Sequence, residues 1–181
     1  MINTVKMSFF LLVALVLSAC NDSRKLETIR QAEMLMQEQP DSALRVLQTI
    51  NRHSLHGEIL ARYALIYSIA QDKSGLDVTN DSLLRIAHEY YCQHPDDFLY
   101  ARSQYYMGLY YTLVDSTKQA EDCLKTAVRY AKDRKEYYTQ YLALCRLSRE
   151  IRYSNATLGL KYIRFMHYTI KRHMRYMNSF S

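Results

Sequence analysis

The feature that most constrains this chain is one helical stripe written four times. Small or polar, apolar and apolar residues follow one another at offsets of zero, four and seven in Ala43/Leu47/Ile50, Asn80/Leu84/Ala87, Ala120/Leu124/Ala127 and Ala156/Leu160/Ile163. Steps of four and three keep all three residues on one face of an α-helix, so each stripe predicts a helix with a buried side. Successive stripes begin 37, 40 and 36 residues apart. A near-constant period of that size marks stacked units, none of which can bury its apolar face alone. A single triplet would also suit an ordinary antiparallel bundle; four in phase favour stacking.

A second pattern precedes three of the stripes: Ala64-Leu65-Ile66-Tyr67, Gly108-Leu109-Tyr110-Tyr111 and Leu144-Cys145-Arg146-Leu147. A small residue three positions before a tyrosine lets two helices approach closely while the ring fills the space beside them. Over roughly residues 25–168 the two patterns together resemble the later part of the tetratricopeptide signature. The third unit matches best, with Gly108, Tyr111, Ala120, Leu124 and Ala127 at the family's spacing. It departs at the tryptophan position, which is Gln104, and at the closing proline, which is Lys132. The second unit carries extra residues in 71–80, the fourth has Leu144 and Leu147 for the glycine and tyrosine, and the first keeps only its second helix clearly. The resemblance implies an all-α fold, a right-handed solenoid of stacked antiparallel helix pairs. It also implies that the first helix of each unit lines a concave groove. The groove positions fall on Arg102, Tyr105, Leu109 and Thr112 in the third unit and on Tyr138, Tyr141, Cys145 and Ser148 in the fourth. In the second unit they fall on Glu58, Ala61, Leu65 and Ser68.

Punctuation agrees with paired helices. Only four glycines and two prolines interrupt 181 residues, and helices are expected near 24–38, 41–52, 56–71, 81–93, 97–113, 117–133, 135–153 and 156–176, with no strand. Pro40 and Pro95 are expected between helices, with Asp41, Asp96 and Asp97 as N-caps. Ser116-Thr117-Lys118-Gln119 reads as a capping box. Seventeen tyrosines without a tryptophan suit half-buried helix faces, where the ring packs and the hydroxyl reaches a polar partner.

The amino end reads as an export signal. Lys6 precedes the apolar run Phe9 to Leu17, and Leu17-Ser18-Ala19-Cys20 closes it. Nine apolar residues fall short of the roughly 20 that a spanning helix needs. Leu-Ser-Ala-Cys resembles the bacterial lipobox, which implies a signal peptide over 1–19, cleavage before Cys20, acylation (palmitate among the chains) of Cys20, and a short linker over 20–24. Pro40-Asp41-Ser42-Ala43-Leu44 also resembles one group of bacterial tetratricopeptide lipoproteins. Asn21, standing where an aspartate would retain the protein at the inner membrane, favours the outer membrane of the cell envelope.

The net charge of +6 is unevenly placed: residues 129–181 hold twelve Lys/Arg against three Asp/Glu, the preceding 128 hold twelve against fifteen. A basic tail on an acidic body points to anionic partners. For an exported chain those are lipid headgroups and not nucleic acid. Ile163, Met166, Ile170, Met174 and Met177 form an apolar stripe through the basic stretch, with 169–181 as its end. That stripe either caps the repeats by packing on the preceding helix, meets a membrane or another subunit, or belongs to a longer parent.

The sequence carries no motif that implies catalysis. Cys92, Cys123 and Cys145 are an odd set without C-x-x-C spacing and read as small buried residues, although the compartment permits one disulfide. His53 and His56 lack a third ligand, so no metal is expected, and no phosphate cradle or nucleophile motif implies a cofactor or catalysis. The expectation is a membrane-anchored, non-enzymatic scaffold that binds protein or peptide. The alternative is the sensor portion of a longer signalling or regulatory protein. Arg102, Tyr105, Leu109, Thr112, Tyr138 and Tyr141 are the candidate groove residues, since tyrosine and arginine make good interface anchors.

Overall fold

A computed structural model describes residues 22–76, 81–154 and 156–178; for 81, 152–154, 156, 170 and 172–178 the backbone alone is described. The expected signal peptide, Cys20 and Asn21, the 77–80 part of the loop, and the side chains of Ala156, Ile170, Met174 and Met177 therefore lie outside the described residues. Everything described is helical or turn, with no strand: an all-α chain, as the stripes require.

The helices are α1 (22–35), α2 (Pro40–Gln48), α3 (Gly57–Lys73), α4 (Asp81–Gln93), α5 (Tyr100–Leu113), α6 (Thr117–Asp133), α7 (Tyr137–Ser154) and α8 (Ala156–Asn178), with a 3₁₀ turn at Arg52–Ser54. They fall into two compact units, Met1–Leu76 and Asp77–Ser181.

In the first unit, Ile29, Ala32 and Met36 follow helical steps of three and four and are buried. On α2 the buried residues are Ala43, Leu44 and Leu47, and α2 packs on α3. The ion pair Arg62–Glu33 at 2.7 Å ties α3 to α1. Lys25 Nζ donates to the Ser54 carbonyl at 2.9 Å and so pins the 3₁₀ turn. Two expectations need correction here. Pro40 is the first residue of α2 and not a spacer before it, which suits a ring that presets helical φ where the N–H would be orphaned anyway. Asp41 then sits inside the first turn, where its charge opposes the helix dipole's positive end, and does not cap. The other correction is that α2 stops at Gln48. The Asn51 side chain accepts from the His53 N–H at 3.1 Å, a local bond that competes with a further helical turn.

In the second unit each helix packs on the next, and α5 also touches α7. Helix α5 is buried on most of its circumference, Ser103 through Leu109 without a break. Helix α6 is strictly one-sided: Ala120, Leu124, Ala127 and Ala131 are buried, and these include the whole third stripe. Gly108 explains how α5 and α6 come so close, since a Cβ there would stand 2.8 Å from Leu124 Cγ and 3.4 Å from the Ala120 carbonyl oxygen. The edge-on pair Tyr100–Tyr130, with ring centroids 4.6 Å apart, closes the other end of the same contact.

Three helix ends share one device. At the ends of α3, α5 and α6 the chain turns through a left-handed residue, Gly75 (φ 69°), Asp115 (φ 56°) and Lys135 (φ 60°). In each, the next residue's N–H reaches five residues back: Leu76 to the Gln71 carbonyl, Ser116 to Tyr111 and Glu136 to Ala131, at 2.8–2.9 Å. These are Schellman caps. Ser116 is thus both the last residue of one cap and the N-cap of α6. Its side chain makes no capping bond, so the expected capping box does not form. Neither Asp96 nor Asp97 is the N-cap expected for α5: Asp97 Oδ1 accepts from the Leu99 N–H at 2.7 Å in a local turn ahead of the helix, which begins at Tyr100 with Leu99 as its N-cap. Arg134 Nη2 donates to the Pro95 carbonyl at 2.7 Å, so the α6–α7 turn grips the α4–α5 turn 39 residues earlier.

The fourth stripe departs from the others. Helix α8 packs on α7, yet Leu160 is 57% exposed and Ile163 half-buried, while Gly159 and Thr169 are buried. Cys145 Sγ meets Met166 Sδ at 3.1 Å across that contact, so Met166 of the C-terminal apolar stripe faces α7.

Candidate functional site

The steps from 102 to 105, 109 and 112, and from 138 to 141, 145 and 148, each trace one stripe, and α5 and α7 touch. Exposure divides those stripes. Arg102, Thr112 and Tyr141 are half-buried and Tyr138 is 52% exposed. Tyr105, only 8% exposed, stands edge-on to Tyr106 at 5.0 Å, and Leu109 is buried as well. Thr112 spends its hydroxyl on the Gly108 carbonyl at 3.1 Å, and Ser148 on the Cys145 carbonyl at 2.9 Å. On α3, Ala61, Leu65 and Ser68 are buried and Glu58 is exposed. The large side chains of these two stripes that reach the surface are therefore Arg102 and Tyr141, both half-buried, and the exposed Tyr138.

Glu136 joins them, and sequence reasoning passed over it. It is the residue just before α7, held there by the cap that ends α6. Burial pushes its carboxyl above the usual range, while the Arg102 guanidinium, the Thr139 hydroxyl at 3.3 Å and Arg134 pull it down. Its Oε1 is buried with no hydrogen-bond partner. A lone acid between Lys135 and Tyr137 carries no motif. Its proximity to Arg102 arises only when α5 and α7 come together.

The thiols form a different neighbourhood. Gln104 Nε2 donates to Cys92 Sγ at 3.3 Å, so this polar residue is buried with a partner. His88 lies 3.5 Å from the same sulfur. Burial lowers the His88 pKa and raises that of Cys92, and it pushes Cys123 up to about 11. Both thiols therefore stay protonated near neutrality, so the cysteine–histidine contact holds no ready thiolate nucleophile. All three described cysteines are free. The expectation that they are buried is corrected, since Cys92 is exposed and Cys123 and Cys145 are half-buried. Among the described residues no group of three or more His, Cys, Asp or Glu is placed to hold a metal, and no helix is long and apolar enough to cross a membrane. His53 and His56 are both exposed.

No family model, no curated protein and no solved structure matches this chain.

Proposed function

We propose that the chain is an exported lipoprotein, anchored in the cell envelope through acylated Cys20, and that it acts as a non-enzymatic scaffold binding protein or peptide along the α5/α7 face. The reading treats the helices as tetratricopeptide-like pairs in a right-handed solenoid, a shape whose concave side suits extended ligands. One observation carries it. Two neighbouring helices, one repeat period apart, carry Arg102, Tyr138 and Tyr141 at exposed or half-buried positions, with Arg102 facing the Glu136 carboxyl. That combination offers aromatic area and a cation, the residue types that anchor protein interfaces. The Arg134–Pro95 bond between turns 39 residues apart supports the repeat reading, because it joins equivalent points of successive units.

The anchor and the face are tested separately. Cys20→Ala should abolish labelling by a fatty-acid probe and leave an unprocessed precursor; equal labelling of parent and variant refutes the lipoprotein. For the face, a photo-crosslinking residue in place of Tyr138 should give a discrete adduct in intact cells. The same residue in place of exposed Lys118 on α6 should not. Loss of the Tyr138 adduct on Arg102→Glu, with unchanged melting temperature, supports the face. Adducts at Lys118 alone would overturn it.

A further inference from the structure

Helix α8 has two unlike sides. Gly159, Met166 and Thr169 turn toward α7, with the Cys145–Met166 contact at 3.1 Å between the two helices. On the opposite side, Leu160, Arg164, Tyr168 and Lys171 follow steps of four, four and three. All are exposed, with Lys161 exposed on their flank. Those steps place four residues in one line about 16 Å long. No aspartate or glutamate occurs anywhere in the 23 residues of α8. Beside the line lies an open hollow of about 430 Å³, lined by Leu158, Lys161, Tyr162, Arg164, Phe165 and Tyr168. The Phe165 and Tyr168 rings are stacked there, 6.4 Å apart and within 17° of parallel.

We propose that this side of α8 rests on an anionic lipid surface. The inference builds on the reading that Cys20 holds the chain at a membrane, and it adds a second, non-covalent contact. Charge complementarity selects the occupant. Lys161, Arg164 and Lys171 are uncompensated by any acid of their own helix, and anionic headgroups would be their counterions. The surrounding residues suit the boundary between headgroups and acyl chains: leucine at the surface, tyrosine with an apolar body and a polar tip, and cations whose aliphatic stems can lie along the interface. An acidic protein partner would match the charge alone. The outward line runs along one helix beside a wide-open hollow, and its leucine, tyrosine and stacked rings offer apolar surface that the headgroup–acyl boundary takes up and a purely acidic partner does not. A lipid contact at α8 would also fix how the chain stands on the membrane, which an acyl tether alone leaves free.

The test uses the full chain, purified without acylation, in co-sedimentation with phosphatidylcholine vesicles prepared with and without phosphatidylglycerol. The apolar run at 9–17 contributes alike to both vesicle types, so the readout is the ratio of anionic to neutral binding. The parent should favour anionic vesicles and lose that preference as salt rises. Lys161→Gln/Arg164→Gln/Lys171→Gln should lower the ratio on the order of a hundredfold, about fivefold per cation. The same number of charges removed from α6, Lys118→Gln/Arg129→Gln/Lys132→Gln, should leave most of it. Equal loss in the two triple variants would reduce the effect to net charge and overturn the proposal. So would a ratio near one in the parent, tighter capture by polyglutamate than by vesicles, or a concentration-dependent dimer that the α8 variant abolishes. Acylation does not enter this assay, so its failure is separable from failure of the Cys20 test.

Discussion

The stripe Ala120/Leu124/Ala127 on α6 is wholly buried, whereas Leu160, the counterpart of Leu124 on α8, lies mostly in solvent. The two helices carry the same spacing of residue types, so local sequence does not separate them. Their surroundings do. Helix α6 is held between α5 and α7, and Gly108 lets α5 settle onto Leu124 with no Cβ between them. Helix α8 packs on α7 through Gly159, Met166 and Thr169, a face rotated away from Leu160. Each copy of a repeated stripe is an offer of apolar surface, and burial depends on whether a neighbour takes it up.

The comparison breaks most directly by truncating the paired leucines. Leu124→Ala removes a fully buried side chain and should cost about 2–5 kcal/mol, because the transfer loss and the cavity add. Leu160→Ala should stay within about 0.5 kcal/mol, as surface changes do. Urea melts of both variants decide it, and equal losses would mean that Leu160 has a partner in solution.

Next in size is the close approach that makes α6 different. Gly108→Val puts branched carbon into the space now 2.8 Å from Leu124 Cγ, and overpacking of this kind costs about 1–3 kcal/mol. The better helix propensity of valine offsets only part of that. An unchanged midpoint would show that α5 and α6 have room to separate.

A smaller effect of opposite sign is expected at the turn leading into α7. Lys135 holds a left-handed φ of 60°, a conformation that costs a residue with a Cβ about 1–2 kcal/mol. Lys135→Gly should stabilise the chain by up to about 1 kcal/mol, since glycine's freedom in the unfolded chain takes back part of the gain. Thermal melts of parent and variant read the sign.

The smallest effect sharpens the α5/α7 face, and it depends on pH. Burial raises the Glu136 pKa above its ordinary value of 4.5, so the folded state keeps this proton to higher pH than the unfolded state does. The resulting stability is present in acid. It declines as pH rises from about 4.5 through the folded value and is gone above it. Glu136→Gln should therefore melt at or slightly above the parent at neutral pH, with the gap closing in acid. A variant clearly weaker at neutral pH would mean that the carboxylate–Arg102 attraction outweighs burial.

Much of the helical layout was legible because its causes are local. Period and punctuation placed eight helices, most of them within three residues of where they lie; the third stripe is buried throughout on α6, and Ala43/Leu47 and Leu84/Ala87 are buried on α2 and α4, while Ile50 lies past the end of α2 and is half-buried. The misses at α2, α5 and α6 concern single hydrogen bonds: Asn51 to His53, Asp97 to Leu99, and a Schellman cap that occupies Ser116. Two of the three left-handed cap residues, Asp115 and Lys135, are not glycine and so gave no strong signal.

Sequence by itself determined that this chain is helical, where its helices sit, and which face of each is apolar. Those follow from a 3.6-residue repeat and from residues that start or stop it. Tertiary structure alone decided which faces are covered. It put Tyr105 in the interior and left Tyr138 on the surface, though the sequence pattern gave both the same expected role. It also brought Arg102 beside Glu136 and turned Leu160 outward. The physical reason is that apolar spacing is a property of one helix, whereas burial and the pairing of charges belong to two helices and the distance between them.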